Sequence, residues 1–290
     1  MLLSATIGVL NGFDGWLNVN ALVSDTRPVP LEFGVLDRSS EFEFIDADGN
    51  RTTEQLLPLG SVMQRGQNPS SQDVIVPLVQ HLTASGEKRE KVLIFRNQRG
   101  PAQGCARYIS RDVGLPAADD VAGQVPVLDQ STTTTALLDA LGGGAALHTL
   151  NLTRNERVVV ERAFRDPDSR LRVLVATTMV AAGVNTPAST VIIVEHDSPW
   201  EGRDMTIAEI RNMAGRAGRL GYRETGRAIL LAGNVYKRQR LFDKYVLAEA
   251  DPITASFTED DIGYLARSPT RTGHTAARGV VGRPHRFYQI

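Results

Sequence analysis

The chain has 290 residues, 42% of them hydrophobic, and a formal net charge of −1. That length buries one substantial core plus a small appendage, and the near-neutral balance excludes a globally basic nucleic-acid coat, leaving strand binding to local clusters. A single cysteine, Cys105, excludes a disulfide framework and suits a reducing compartment. No apolar run spans a bilayer, and the apolar start has no cation before Arg27, unlike a signal peptide, so no membrane partner and a cytoplasmic location are expected.

In chain order, Ala21–Ser24 and Val29–Val35 read as strands. Phe42–Ile45 followed by Asp46-Ala47-Asp48-Gly49-Asn50 reads as a strand entering a hairpin turn. Gly60 to Ser71 is a polar connector, and Val74–Thr83 a helix with Pro77 in its first turn. From Lys91 onward, β-branched runs at Val92–Phe95, Arg172–Ala176, Thr190–Val194 and Arg227–Leu231 alternate with helical periodicity at Pro101–Ser110, Thr153–Phe164, Thr206–Ala217 and Tyr236–Leu247. Apolar strands separated by amphipathic helices predict an α/β fold, a parallel sheet with helices on both faces. Thr153 with Glu156 forms a capping box that marks a helix start. The Ala-, Thr-, Asp- and Gly-rich stretch Asp112–Gly144 reads as helix and loop, with Gly142-Gly143-Gly144 a turn. Arginines at 267, 271, 278, 283 and 286, with no acidic residue after Asp261, read as a disordered basic tail. Ligands of such folds sit at the carboxyl ends of the strands, where chemistry is expected.

Two clusters stand out. In Arg211-Asn212-Met213-Ala214-Gly215-Arg216-Ala217-Gly218-Arg219, Arg216 and Arg219 are three apart, which puts both guanidinia on one face of a helix end. Each planar fork can hold phosphate oxygens bidentately, as an arginine finger does at a γ-phosphate, and the small neighbours allow close approach of a second domain. The same spacing also describes a surface ion-pair face. In the second cluster a buried strand runs through Val173-Leu174-Val175-Ala176 into Thr177-Thr178, followed by Gly183-Val184-Asn185-Thr186-Pro187. Thr177 can donate to a nucleic-acid phosphate, Gly183 frees the backbone for close approach, and Asn185 can bond a ribose. On its own this is also an ordinary strand followed by a capped helix. The scattered histidines offer no zinc spacing.

The order of the pieces resembles one family. Ser4-Ala5-Thr6 is similar to helicase motif III, Lys91–Arg99 to motif IV, His148–Arg157 to the segment before motif V, Val173–Pro187 to motif V, and Asn212–Arg219 to motif VI. Together, with Arg27-Pro28-Val29-Pro30-Leu31, they resemble the Ski-like branch of superfamily-two DEAD/DEAH-type helicases. Asn212 stands where that branch usually has Gln, keeping the amide with a shorter reach.

The resemblance implies a RecA-like, P-loop-NTPase-type second motor domain. It implies ATP contacts at Gly183, Asn185, Asn212, Gly215, Arg216 and Arg219, the two arginines acting in catalysis. It implies strand contacts at Arg96, Asn97, Gln98, Thr177, Thr178 and Trp200, the last on a hairpin within His196–Thr206 that wedges a duplex; a plain surface loop is the alternative there. Residues 1–20 are expected to be a remnant of a first motor domain, 21–250 the second motor domain and 251–290 a linker and tail. The sequence contains neither a Gly-Lys nor an Asp-Glu dipeptide, so the P-loop and the Mg²⁺-holding acidic motif of the family are not in it. The expected partners are therefore single-stranded or partly duplex DNA or RNA and a first RecA-like domain in cis or in trans, with ATP and Mg²⁺ bound by the complete enzyme. A non-catalytic nucleic-acid-binding or regulatory module, or a truncated gene product, is the competing reading.

Overall fold

The computed structural model describes residues 14–15, 20, 29–84, 90–126, 131–178, 188–198, 201–218 and 225–249. One compact unit runs Val23–Glu249, and its framework is an eight-stranded sheet in the order β3-β2-β1-β8-β7-β4-β6-β5. The strands are β1 (Leu31–Leu36), β2 (Glu41–Ile45), β3 (Arg51–Gln55), β4 (Val92–Arg96), β5 (Ala145–His148), β6 (Val173–Thr177), β7 (Thr190–Ile193) and β8 (Gly226–Leu231). The six strands from β1 to β5 in that order pair in parallel. Only the β2–β3 hairpin is antiparallel, turning at Asp46–Asn50, where the Asp46 carboxylate accepts the Asp48 and Asn50 amides at 2.9 and 2.8 Å.

Every residue of β4, β5, β6 and β7 is buried. Burial at both parities means that both faces of the sheet are covered, the reason these strands read as continuous apolar runs. The helices are α1 (Gln72–Ala84), α2 (Arg99–Asp112), α3 (Asp119–Ala122), α4 (Thr132–Leu141), α5 (Arg154–Arg165), α6 (Ile207–Ala214) and α7 (Val235–Leu241). Helix α2 packs on α1 and α4 and against β4, β5 and β6, whereas α6 packs against β7, β8 and the π-helical turn Phe242–Leu247 that continues α7. None of these helices is long and apolar enough to cross a membrane.

Local rules place several starts. Thr153 and Glu156 close the expected capping box on α5, and Thr206 with Glu209 closes a second on α6. Three expectations need correction. Pro77 lies in the second turn of α1, which begins at Gln72; in the first turn the Asp73 carboxylate accepts the Ser70 and Arg65 amides of the preceding connector and pairs with Arg38. Ala145–His148, for which no element was expected, is the edge strand β5. The expected helix over 236–247 changes to π-helix at Phe242, and that over 206–217 stops at Ala214. The proposed strand at Ala21–Ser24 falls outside the described residues.

A buried ionic network fastens the hairpin to the rest. Arg238 on α7 donates to Asp37 at 2.8 Å and to Glu41 at 2.6 Å, and its Nε lies 3.4 Å from Glu43. The Asp37 side chain is fully buried, so removing its counter-charge leaves an ion without water. Arg238→Ala is expected to cost about 3 kcal/mol in urea unfolding; a loss within experimental error of zero would show that the hairpin does not depend on this network.

Candidate functional site

The candidate residues that are described fall on two opposite edges of the sheet. Asn97, Gln98, Thr177 and Thr178 follow the carboxyl ends of the neighbouring strands β4 and β6, which run in register from Val92↔Val173 to Arg96↔Thr177. Asn97 is half-buried, Gln98 exposed, Thr177 buried and Thr178 half-buried. Gln98 is the N-cap of α2 but gives it no side-chain hydrogen bond. Arg96 is placed differently from a residue that reaches outward. It is only 8% exposed, its Nε and a terminal nitrogen meet Glu195 at 2.9 and 2.7 Å, and its other terminal nitrogen lies 3.5 Å from the Tyr108 hydroxyl. Burial by itself lowers the Arg96 pKa, but the hydrogen bond and charge of Glu195 outweigh it and the net shift is upward.

The second group stands at the far end of α6. This helix begins after β7 at the carboxyl edge and runs back along the sheet, so its last turn emerges at the amino edge. Asn212 is exposed on that turn, Gly215 is the C-cap, and Arg216 lies past the helix, half-buried; burial lowers its pKa. Two expectations change here. The candidate residues are not all at the carboxyl ends of the strands, because the connection that carries Arg216 returns to the opposite edge. Arg216 is not on a helix face, because the helix has ended at Ala214 and the chain turns at Gly218 with φ +81°, and Arg219 lies outside the described residues.

The backbone of Arg216 is held by a bridge. Ala188 donates to the Arg216 carbonyl at 3.1 Å and accepts from the Gly218 N–H at 2.8 Å, closing a parallel bridge between Ala188 and Ala217. Ala188 is the first described residue after the segment 179–187.

Gly218 was expected to be small so that a second domain could approach; the structure supplies a reason inside the domain. A Cβ at Gly218 would lie 2.9 Å from Val29 Cγ1 and 3.1 Å from Gly226 Cα, and one at Gly226 would lie 2.5 Å from the Gly218 nitrogen. Gly218→Ala is expected to destabilise by roughly 2–4 kcal/mol, combining left-handed strain with overpacking. Thermal melting alongside Gly66→Ala, where a Cβ meets nothing closer than 3.9 Å, checks it, and equal melting temperatures would refute the packing argument.

At the carboxyl edge the segment after β7 forms a short hairpin stem. Asp197 and Asp204 make an antiparallel bridge, Ser198 donates to the Arg203 carbonyl and Met205 to that of His196, both at 2.8 Å. Arg203 pairs with Glu209 at 2.9 Å and with Glu201, and Asp204 with Lys244 at 2.6 Å. Trp200 lies outside the described residues, as do Gly183, Asn185, Arg219 and Ser4-Ala5-Thr6. Sequence reasoning missed Glu195, Asp197 and His196 at this stem. The motif order did not point to them, although Glu195-His196-Asp197 directly following an apolar strand was a visible signal.

His196 sits at the base of the stem, buried, with its carbonyl accepting from Met205 and from the Tyr245 hydroxyl. Burial and the nearby Lys237 charge bring its pKa down to about 4 from 6.5. The unfolded chain thus takes up the proton more readily than the folded one. Stability is complete above pH 6.5 and declines as pH falls toward 4, by on the order of 3 kcal/mol. His196→Phe should flatten that part of the stability–pH curve relative to the unsubstituted chain, read by urea unfolding at pH 7.0, 5.5 and 4.5; an unchanged slope would contradict a neutral buried imidazole.

Comparison with known proteins agrees with this geometry. The helicase conserved C-terminal domain family matches residues 73–221. The chain is 31% identical over 266 residues to the ATP-dependent DNA helicase Hel308 of Pyrobaculum calidifontis, covering 87% of this chain and 34% of that protein. It is 29% identical over 260 residues to the protein of the same name from Thermoplasma acidophilum, covering 88% and 33%, and 29% identical over 266 residues to that from Pyrococcus horikoshii, covering 90% and 33%. The chain spans about a third of the length of these curated relatives. With its mostly parallel sheet and two helical layers, the chain belongs to the helicase conserved C-terminal domain family, a RecA-like domain of the superfamily-two helicases.

Proposed function

We propose that the chain is the second motor domain of an ATP-dependent DNA helicase of the Ski-like branch, coupling ATP hydrolysis to movement along a strand. One observation carries this reading. Arg216 is held at the amino edge by the backbone bridge to Ala188, while Thr177 and the Asn97–Gln98 turn stand together at the carboxyl edge. DNA as the substrate is supported by the names of the relatives.

In this reading residues 21–250 are the motor domain, 1–20 the end of a first one and 251–290 a linker and basic tail. A first RecA-like domain, in cis or in trans, supplies the P-loop and the acidic pair, and the γ-phosphate site forms between the two. By the family resemblance the Mg²⁺ ligands are assigned to that first domain. ATP, when bound, supplies the phosphoanhydride that is broken. Arg216 and Arg219 neutralise the charge that develops on its γ-phosphate, while Asn212, Gly215, Gly183 and Asn185 orient it. Asn97, Gln98, Thr177 and Thr178 hold the phosphodiester backbone by sequence-blind contacts, and Trp200 stacks on a base at the hairpin, a contact worth roughly 1–3 kcal/mol.

The chain by itself is expected to hydrolyse ATP at the background rate. A first domain carrying P-loop and acidic motif, fused ahead of Met1 or added in trans, should restore strand-stimulated turnover. In that assembly Arg219→Ala should lower turnover about 10³-fold with strand affinity nearly unchanged, and Arg219→Lys should rescue poorly for want of the planar fork. Thr177→Val should do the reverse, weakening strand binding while basal hydrolysis persists. Turnover of Arg219→Ala within a few-fold of the unsubstituted assembly would sink the finger assignment and return the cluster to a surface ion-pair face.

A further inference from the structure

Glu195 stands just beyond β7, beside the end of β4, and its carboxylate has two tasks. Oε1 accepts from Arg96 Nε at 2.9 Å and from its terminal nitrogen at 2.7 Å. Oε2 accepts the backbone N–H of Asn97 at 3.1 Å and also lies 3.2 Å from Arg96 Nε. Two residues on, Asp197 Oδ2 accepts from Asn97 Nδ2 at 3.5 Å, and Asp197 is also the first stem residue of the hairpin. The segment leaving β7 thus holds Asn97 by backbone and by side chain. Gln98 follows as an N-cap with no capping bond of its own, so the course of this exposed turn is set from outside it.

We infer that Glu195 is a positioning residue: it fixes the Asn97–Gln98 turn in register with the hairpin stem, and Arg96 is its counter-charge rather than a strand contact. This rests on the reading of the carboxyl edge as the strand grip. The physical case lies in the asymmetry of the pair. An ion pair present only to stabilise a core is replaceable by two apolar side chains of similar size, often at no cost. Here one carboxylate oxygen also accepts a loop amide, which no apolar side chain could do. Replacing both partners removes that acceptor without stranding a buried charge. It therefore separates a role in positioning from a role in folding, which removal of Glu195 alone would not do.

The test uses this chain, the double variant Arg96→Met/Glu195→Leu and the single variant Arg96→Lys. Melting temperature, hydrogen exchange of the Asn97 amide without ligand, and affinity for a fluorescent oligo-dT strand are measured. The double variant is expected to melt within a few degrees of the unsubstituted chain. Its Asn97 amide should exchange about tenfold faster or more, and its dissociation constant for the strand should rise about tenfold, the scale of one lost charge-assisted hydrogen bond. Arg96→Lys keeps the counter-charge and should recover most of that affinity and protection. Unchanged exchange and affinity in the double variant would overturn the inference, as would melting many degrees lower, which would make the pair a core stabiliser. It would also be overturned by Arg96→Lys losing the strand while Asn97 stays protected, since Arg96 would then be the contact. An unsubstituted chain that ignores the strand, yet whose Asn97 protection depends on Glu195, would retire the strand reading of this edge and leave the positioning role standing.

Discussion

The backbone bridge between Ala188 and Ala217 is the constraint on which the candidate site depends. Its two hydrogen bonds, from Ala188 to the Arg216 carbonyl and from Gly218 to the Ala188 carbonyl, fix the chain just past α6, where the helix can no longer do so. A guanidinium on a long, rotatable side chain is placed only as well as its own backbone is placed. The bridge needs Gly218 in a left-handed conformation and in near contact with Gly226, and Gly226 opens β8, which pairs with both β1 and β7. The position of Arg216 is therefore built into the pairing of the sheet. Its backbone shifts only if strands shift.

Charge is handled in two ways. At the hairpin β2–β3 and beside β4, arginines are buried against carboxylates: Arg238 with Asp37 and Glu41, Arg96 with Glu195. Such pairs contribute little net stability, because desolvation offsets attraction, yet breaking one is costly. Their effect is to restrict geometry. Arg238 ties the β2–β3 hairpin to α7, and Arg96 with Glu195 ties the turn after β4 to the segment leaving β7. Around the stem of the second hairpin the pairs are more exposed, as with Asp204 and Lys244, and each is worth little by itself. There the fixed elements are His196 and Tyr245 beneath the stem, with Tyr245 donating to the Met205 carbonyl at 2.9 Å.

Much of this architecture could be read from residues alone, and for identifiable reasons. Continuous β-branched runs announce strands covered on both faces, and β4, β6, β7 and β8 lie within a residue or so of their expected limits. Thr153 with Glu156 defines a helix start through contacts three residues apart, which sequence displays directly. Elements whose limits depend on distant partners were less legible. Ala145–His148 is too short and too small-residue-rich to carry a pattern, and becomes a strand because β6 pairs with it. The end of α6 was read three residues too long because its apolar spacing continues through Ala217, which is used instead for the bridge to Ala188.

The candidate site divides along the same line. The sequence by itself determined the α/β class, the order of motifs, and which residue types could meet a phosphate, because these depend on composition, spacing and local hydrogen bonding. It could not determine that Thr177 and Arg216 stand on opposite edges of one sheet, or that the planar fork of Arg96 is turned inward onto Glu195. Those outcomes follow from strand order and from the return path of α6, which bring together residues about a hundred positions apart. Only the tertiary structure decided them, because a side chain's partner is set by which strand lies beside its own, and no local property of the chain records its neighbour.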